Sequence, residues 1–89
     1  MRAIVTVVGK DQVGIIAGVC NTLANEKINV LDISQTILDG YFTMIMMVDI
    51  SGNTVTFAEL AKKMEEAGNA RNLSIRVQRE DIFEAMHRV

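Results

Sequence analysis

The 89-residue chain has no tryptophan, one tyrosine, three phenylalanines, one histidine and one cysteine. A lone cysteine, Cys20, excludes an internal disulfide and any CxxC metal or redox pair, and it reads as a small core residue. The lone histidine, His87, lies in the terminal segment, where a solvated or interface role is the expectation. Asp32, Ser34 and Thr36 alternate along one strand, but without a histidine or a second placed carboxylate they make no nucleophile and base set. Excess charge is also missing: 9 Lys and Arg stand against 11 Asp and Glu, for a formal net charge of −2. The basic residues are scattered, and Arg76 and Arg79, three apart on an expected strand, point to opposite faces, so nothing favours nucleic acid. Apolar runs fall far short of the roughly 20 residues that span a bilayer. The N-terminal Met1-Arg2-Ala3-Ile4 enters a strand without a cleavage signature, so the expected location is the cytoplasm.

What is present is apolar: 49% of residues are hydrophobic, six of them methionine. Any core or interface therefore relies on aliphatic and thioether packing. A chain this short leaves roughly 35 to 40% of its unfolded surface exposed, a deficit that a homo-oligomer would relieve.

Residues 2 to 8 are rich in β formers and bounded by Gly9, a first strand apolar on both faces, as a central strand is. From Val13 onward Ile16, Val19, Cys20, Leu23 and Ala24 recur at helical spacing, with Asp11 placed as an N-cap. Leu31, Ile33 and Ile37 alternate with Asp32, Ser34 and Thr36 in a second strand. Gln35 falls among the apolar set and needs a partner if buried. Asp39-Gly40 is a strong hairpin signal leading to a third strand from Tyr41, with Phe42, Met44, Met46, Val48 and Ile50 on one face. Thr56 and Glu59 form a capping box opening a second helix with the stripe Phe57, Leu60, Ala61 and Met64, and Gly68-Asn69 supplies a left-handed stop. Leu73, Ile75 and Val77 mark a fourth strand. In the tail of about 80–89, Ile82, Phe83, Met86 and Val89 are spaced as a short helix face that should dock on something.

The order β-α-β-β-α-β predicts one α+β domain over 1–89, a ferredoxin-like sandwich with a four-stranded antiparallel sheet, two helices on one face and a short C-terminal helix. The second sheet face, to which Ile45 and Met47 contribute, has only the tail or a second subunit to cover it.

The segment Gly9-Lys10-Asp11-Gln12-Val13-Gly14-Ile15-Ile16-Ala17-Gly18 joins the first strand to the first helix. Its G-x-x-x-x-G continues as Ile-Ile rather than Lys-Ser/Thr, which excludes a Walker A loop, and no G-x-G-x-x-G occurs. Neither a cofactor nor a metal is expected. Free amides near Gly14 would favour a carboxylate or phosphate. Equally, Gly9 and Gly14 could merely permit a sharp turn. The Gly14 to Gly18 spacing suggests close packing of the helix.

These residues resemble the ACT domain, the small-molecule-sensing module of amino-acid metabolism. The resemblance spans the strand Ile4 to Val8, Asp11-Gln12-Val13-Gly14-Ile15-Ile16 in place of the family's frequent D-x-P-G-L-L, the Lys27-Ile28-Asn29-Val30 junction and "LDISQT" in the second strand. It is nearest to small stand-alone ACT-domain proteins, and similar also to half of a glycine cleavage repressor-like protein. The resemblance implies a homodimer holding an amino acid between two domains, contacted by Asp11, Gln12, Val13, Gly14 and Ile15 of the loop and by Asn29. Gly9 stands where serine-sensing members have a ligand-contacting His, and Val13 where Pro is usual. Asp11 could pair with an amino group while the amides at Gly14 and Ile15 hold a carboxylate. The expected function is thus a non-enzymatic regulatory module that senses an amino acid and signals to a partner protein. The alternatives are a ligand-free dimerisation or interaction module and, less favoured, an acylphosphatase-like hydrolase.

Overall fold

A computed structural model describes residues 2–51 and 56–81. Its elements run β1 (Arg2–Lys10), α1 (Ile15–Asn25), β2 (Asn29–Leu38), β3 (Tyr41–Asp49), α2 (Phe57–Asn69) and β4 (Ser74–Arg79). The strands form one antiparallel sheet in the order β2-β3-β1-β4, the ferredoxin-like arrangement that the sequence predicts. The central position of β1 explains its apolar character on both faces. The helical tail read at about 80–89 lies outside the described residues from 82 onward. Within them, Glu80 closes an ion pair with Arg2 at 3.1 Å, tying the end of β4 to the start of β1.

Strand register decides which residues meet the helices. Val5 pairs with Met46 and Val77, and Val7 with Met44 and Ile75. These, with Ala3 and Val48, pack against Ile15, Val19 and Leu23 of α1 and Leu60 and Met64 of α2 in a core without a tryptophan or tyrosine. Met44, Met46 and Met64 are fully buried, so flexible thioethers fill the space that aromatics fill in other cores. At the margin Lys63 reaches Glu26 at 2.6 Å, linking α2 to the end of α1. That hydrogen bond raises the Lys63 pKa above its ordinary value.

The hairpin at Asp39-Gly40 forms as its letters indicate, with φ of 52° and 79°. Thr56 caps α2 as expected, the Glu59 N–H donating to Thr56 Oγ1 at 3.2 Å, while Glu59 Oε1 accepts from the Thr56 hydroxyl at 3.1 Å rather than from its backbone N–H.

Three readings change. Of the expected α1 stripe Val19 and Leu23 are buried, but Ile15 takes the buried place in the first turn instead of Ile16, Cys20 is half-buried and Ala24 is exposed. Gly68 does not stop α2 but lies inside it, and the left-handed residue is Asn72 at φ 59°. Glycine is needed at 68 for space: a Cβ there would stand 2.7 Å from the Leu73 carbonyl oxygen and 2.8 Å from Ile75 Cγ1. Finally, β2 is an edge strand exposed along nearly its whole length, so Gln35 needs no buried partner. A bulge between Val30 and Asp32 puts Val30 and Ile33 opposite Val48 and Met46, both on the helix side, although they are three residues apart. Leu31, Ile33, Ile37 and Leu38 remain 48, 42, 55 and 74% exposed.

Gly68→Ala is therefore expected to destabilise the fold by about 1–3 kcal/mol through overpacking, although the same change in an unobstructed helix is favourable by about 1 kcal/mol. Urea unfolding decides the sign, and a stabilised variant would show that the α2–β4 approach is looser than described.

A candidate ligand groove at the first turn of helix α1

After Lys10 the chain leaves the sheet, and the Asp11 N–H donates to the Gly40 carbonyl at 2.8 Å, pinning the loop to the β2–β3 hairpin. Gly14 then takes φ 84°, a left-handed conformation that a Cβ disfavours by about 1–2 kcal/mol. It is Gly14, not Asp11, that occupies the N-cap, and no side chain caps the helix. Asp11, expected as the cap, stands three residues too early, because the loop extends through Gly14 before helical dihedrals begin. The first intrahelical bond runs from Gly18 N–H to Gly14 O at 2.9 Å. Ahead of it, the amides of Ile15, Ile16 and Ala17 have no acceptor within the helix, and the first turn has no acidic side chain. The positive end of the helix dipole is left uncompensated there.

The residues that carry these amides line an open groove of about 210 Å³. Asp11, Gln12 and Gly14 form its loop side, Ile15 to Ala17 its helix side, and Gln35, Ile37 and Phe42 the opposite wall. Pockets for drug-sized ligands run from about 300 Å³ upward, so the size suits a small metabolite. Asp11 is the one ionisable side chain in the lining, and no nucleophile and base pair accompanies it. Among the described residues no three His, Cys, Asp or Glu side chains gather in a metal-binding group. A larger groove of about 440 Å³ runs beside β4, between Glu65, Asn69 and Arg76. It has more room but no helix N-terminus and no link to the loop, so size alone does not make it the better candidate.

Of the residues singled out from sequence, Asp11, Gln12, Gly14 and Ile15 meet at the groove. Val13 does not line it and is 99% exposed. Asn29 stands at the far end of β2: it pairs with Asp49, whereas Ile37 of the groove wall pairs with Phe42. Eight residues of strand separate the two, about 26 Å at the usual rise. Gln12 is committed elsewhere, its amide donating to the Arg71 carbonyl at 2.9 Å. Gln35, Ile37 and Phe42 were not expected at a site, although the polar Gln35 in an apolar set was a signal. Gly9 has a structural cause of its own, since a Cβ there would fall 2.5 Å from Leu73 Cδ2. The room that a side chain at position 9 would need is taken by Leu73.

Comparison with known proteins agrees with this architecture. The ACT domain family model matches residues 2–78. A UPF0237 protein of Listeria innocua is 54% identical over 89 residues, covering 100% of both chains. An ACT domain protein from Streptococcus pneumoniae superposes with a TM-score of 0.83 at 47% identity, covering 98% of each chain. The ligand-free regulatory subunit of aspartate kinase from Thermus thermophilus shares the fold, with a TM-score of 0.67 at 23% identity over 86% of this chain and 50% of that one. The match along almost the whole chain, with the sheet order and the glycine-opened first helix in place, shows that this protein belongs to the ACT domain family.

Proposed function

We propose that this protein is a regulatory sensor that binds an amino acid in the groove at the first turn of α1, as a homodimer whose second chain completes the site. One observation carries the reading: the first turn of α1, Ile15 to Ala17, has no side-chain cap and lines a groove whose opposite wall includes Gln35 and Ile37 of the exposed edge strand β2. The amides and helix dipole suit a carboxylate, and Asp11 at the rim suits an ammonium group. Together they complement the two charges of an α-amino acid. Membership of a family of small-molecule-sensing modules supports the same reading.

The dimer follows from β2. Among the described residues no strand pairs with its outer edge, and Leu31, Ile33, Ile37 and Leu38 are exposed beside it. An antiparallel β2–β2 pairing centred between Ile33 and Ser34 sets Asn29 of one chain opposite Leu38 of the other. That brings Asn29 across the 26 Å or so that separates it from its own loop, and into the neighbouring groove. Asn29 thereby becomes a ligand contact in the dimer alone. The same exposed apolar edge supports the second reading, a dimerisation module that binds no metabolite. The sensor's output goes to a separate regulated protein in the cytoplasm.

Calorimetry with the twenty amino acids should give heat with at least one, and silence from all of them contradicts the sensor. Gly14→Leu, which forces a Cβ into left-handed backbone at the groove, should abolish that heat while sedimentation still shows a dimer. Loss of the dimer alone favours the interaction module. Asn29→Ala should weaken binding by about ten- to a hundredfold, the scale of one hydrogen bond to a charged group, without changing the association constant of the dimer. Unchanged affinity removes Asn29 from the site.

A further inference from the structure

Behind the groove, on the side of α1 that faces α2, the loop is held by the turn joining α2 to β4. Gln12 reaches out of the loop and donates its side-chain amide to the Arg71 carbonyl at 2.9 Å. Arg71 reaches back, its Nη1 donating to the Gly14 carbonyl at 3.3 Å. Each side chain thus grips the other segment's backbone across more than fifty residues of sequence. The turn that carries Arg71 is itself fixed: Arg71 N–H and Leu73 N–H both donate to the Gly68 carbonyl, at 2.9 and 2.8 Å.

The guanidinium lies flat against α1 because residue 18 has no side chain. A Cβ on Gly18 would stand 2.8 Å from both Cζ and Nη2 of Arg71 and 3.1 Å from Nε. The Gly14 and Gly18 spacing therefore makes a seat for a cation, with Gly14 offering its carbonyl and Gly18 offering room. That carbonyl also accepts the Gly18 N–H, so Arg71 binds the same oxygen that starts the helix.

We infer that Arg71 is a positioning residue of the ligand groove. It touches none of the groove lining from the ligand side. By holding the Gly14 carbonyl from behind, it fixes the left-handed turn and aims the amides of Ile15 to Ala17 into the groove. Pre-orienting those donors removes an ordering cost from binding, so Arg71 sets affinity without contacting the bound molecule. This inference rests on the sensor reading for its consequence in binding, but the clasp itself can be measured on the ligand-free protein.

Three variants of the full chain separate the roles: Arg71→Ala, which removes the guanidinium; Gly18→Ala, which evicts it with a helix-favouring residue; and the double variant. Native-state hydrogen exchange at the Gly18 amide should quicken by about three- to tenfold in each single variant, the range expected for one exposed hydrogen bond. The double variant should be no faster than Arg71→Ala, because both changes remove one interaction. Exchange at Met46 in the core should not move. Calorimetry with whichever of the twenty amino acids gives the largest heat on the unmodified chain should show Kd rising about three- to tenfold in all three variants, with dimerisation unchanged. Unaltered Gly18 exchange in Arg71→Ala overturns the clasp whether or not any amino acid binds. Faster exchange with an unaltered Kd overturns the positioning role. Additive effects in the double variant would show that Gly18 acts by another route, and overturn the seat. If no amino acid binds the unmodified chain, the sensor reading fails and with it the role in affinity, and the exchange data alone report on the clasp.

Discussion

Two helices of 11 and 13 residues have four strands to cover, and they cover three. Their buried faces meet β1, β3 and β4, while β2 contributes only Val30 to the margin of the core. Among the described residues a ten-residue edge strand is thus left without a partner along its outer edge and with four exposed aliphatic side chains. An isolated chain with such an edge invites pairing with another strand, and a defined pairing with a second copy is the ordered way to satisfy it. The groove depends on the same shortfall: because neither of the two described helices covers the Gln35 to Ile37 end of β2, the first turn of α1 borders an open groove there.

Within that frame the glycines act through space more than through flexibility. Gly9 admits Leu73, Gly18 admits the Arg71 guanidinium, and Gly68 admits the backbone of the strand it precedes. All three approaches converge on the turn between α2 and β4, so the loop at the groove and that turn form one packed unit. Gly14 differs, since nothing crowds its missing Cβ closer than 3.7 Å and its positive φ is the requirement. A change of conformation at the loop on binding would therefore reach β4, the sheet edge opposite β2, without passing through the core.

Most of the fold was legible in the sequence because its signals were local. Asp39-Gly40, the Thr56 and Glu59 pair and the alternation in β3 each specify a structure within a few residues, and each formed. The misreadings share a different cause. Asp11 has the right chemistry for a cap, but Gly14 bears the left-handed dihedral that delays the helix, and Ile15 rather than Ile16 is the buried residue of its first turn. Gly68 was read as a stop from its residue type, whereas the reason for it lies in Leu73 and Ile75. The bulge at Leu31 reassigns the faces of β2 without any letter that announces it. Asp11, Gln12, Gly14 and Ile15, singled out from the sequence, stand together at the candidate groove, whereas Val13 of the same loop does not. Arg71 left no signal, since a contact across more than fifty residues leaves no spacing pattern, and Asn29 reaches a groove only in the proposed dimer.

In the proposed dimer β2 pairs with β2 of a second copy and thereby completes the groove. Isotope-filtered nuclear Overhauser measurements on a mixture of labelled and unlabelled chains test it most directly. Intermolecular contacts are expected along β2, with Asn29 of one chain near Leu38 of the other. Intermolecular contacts confined to Ile45 and Met47 on the outer sheet face, or none at concentrations where the protein sediments as a monomer, would contradict it.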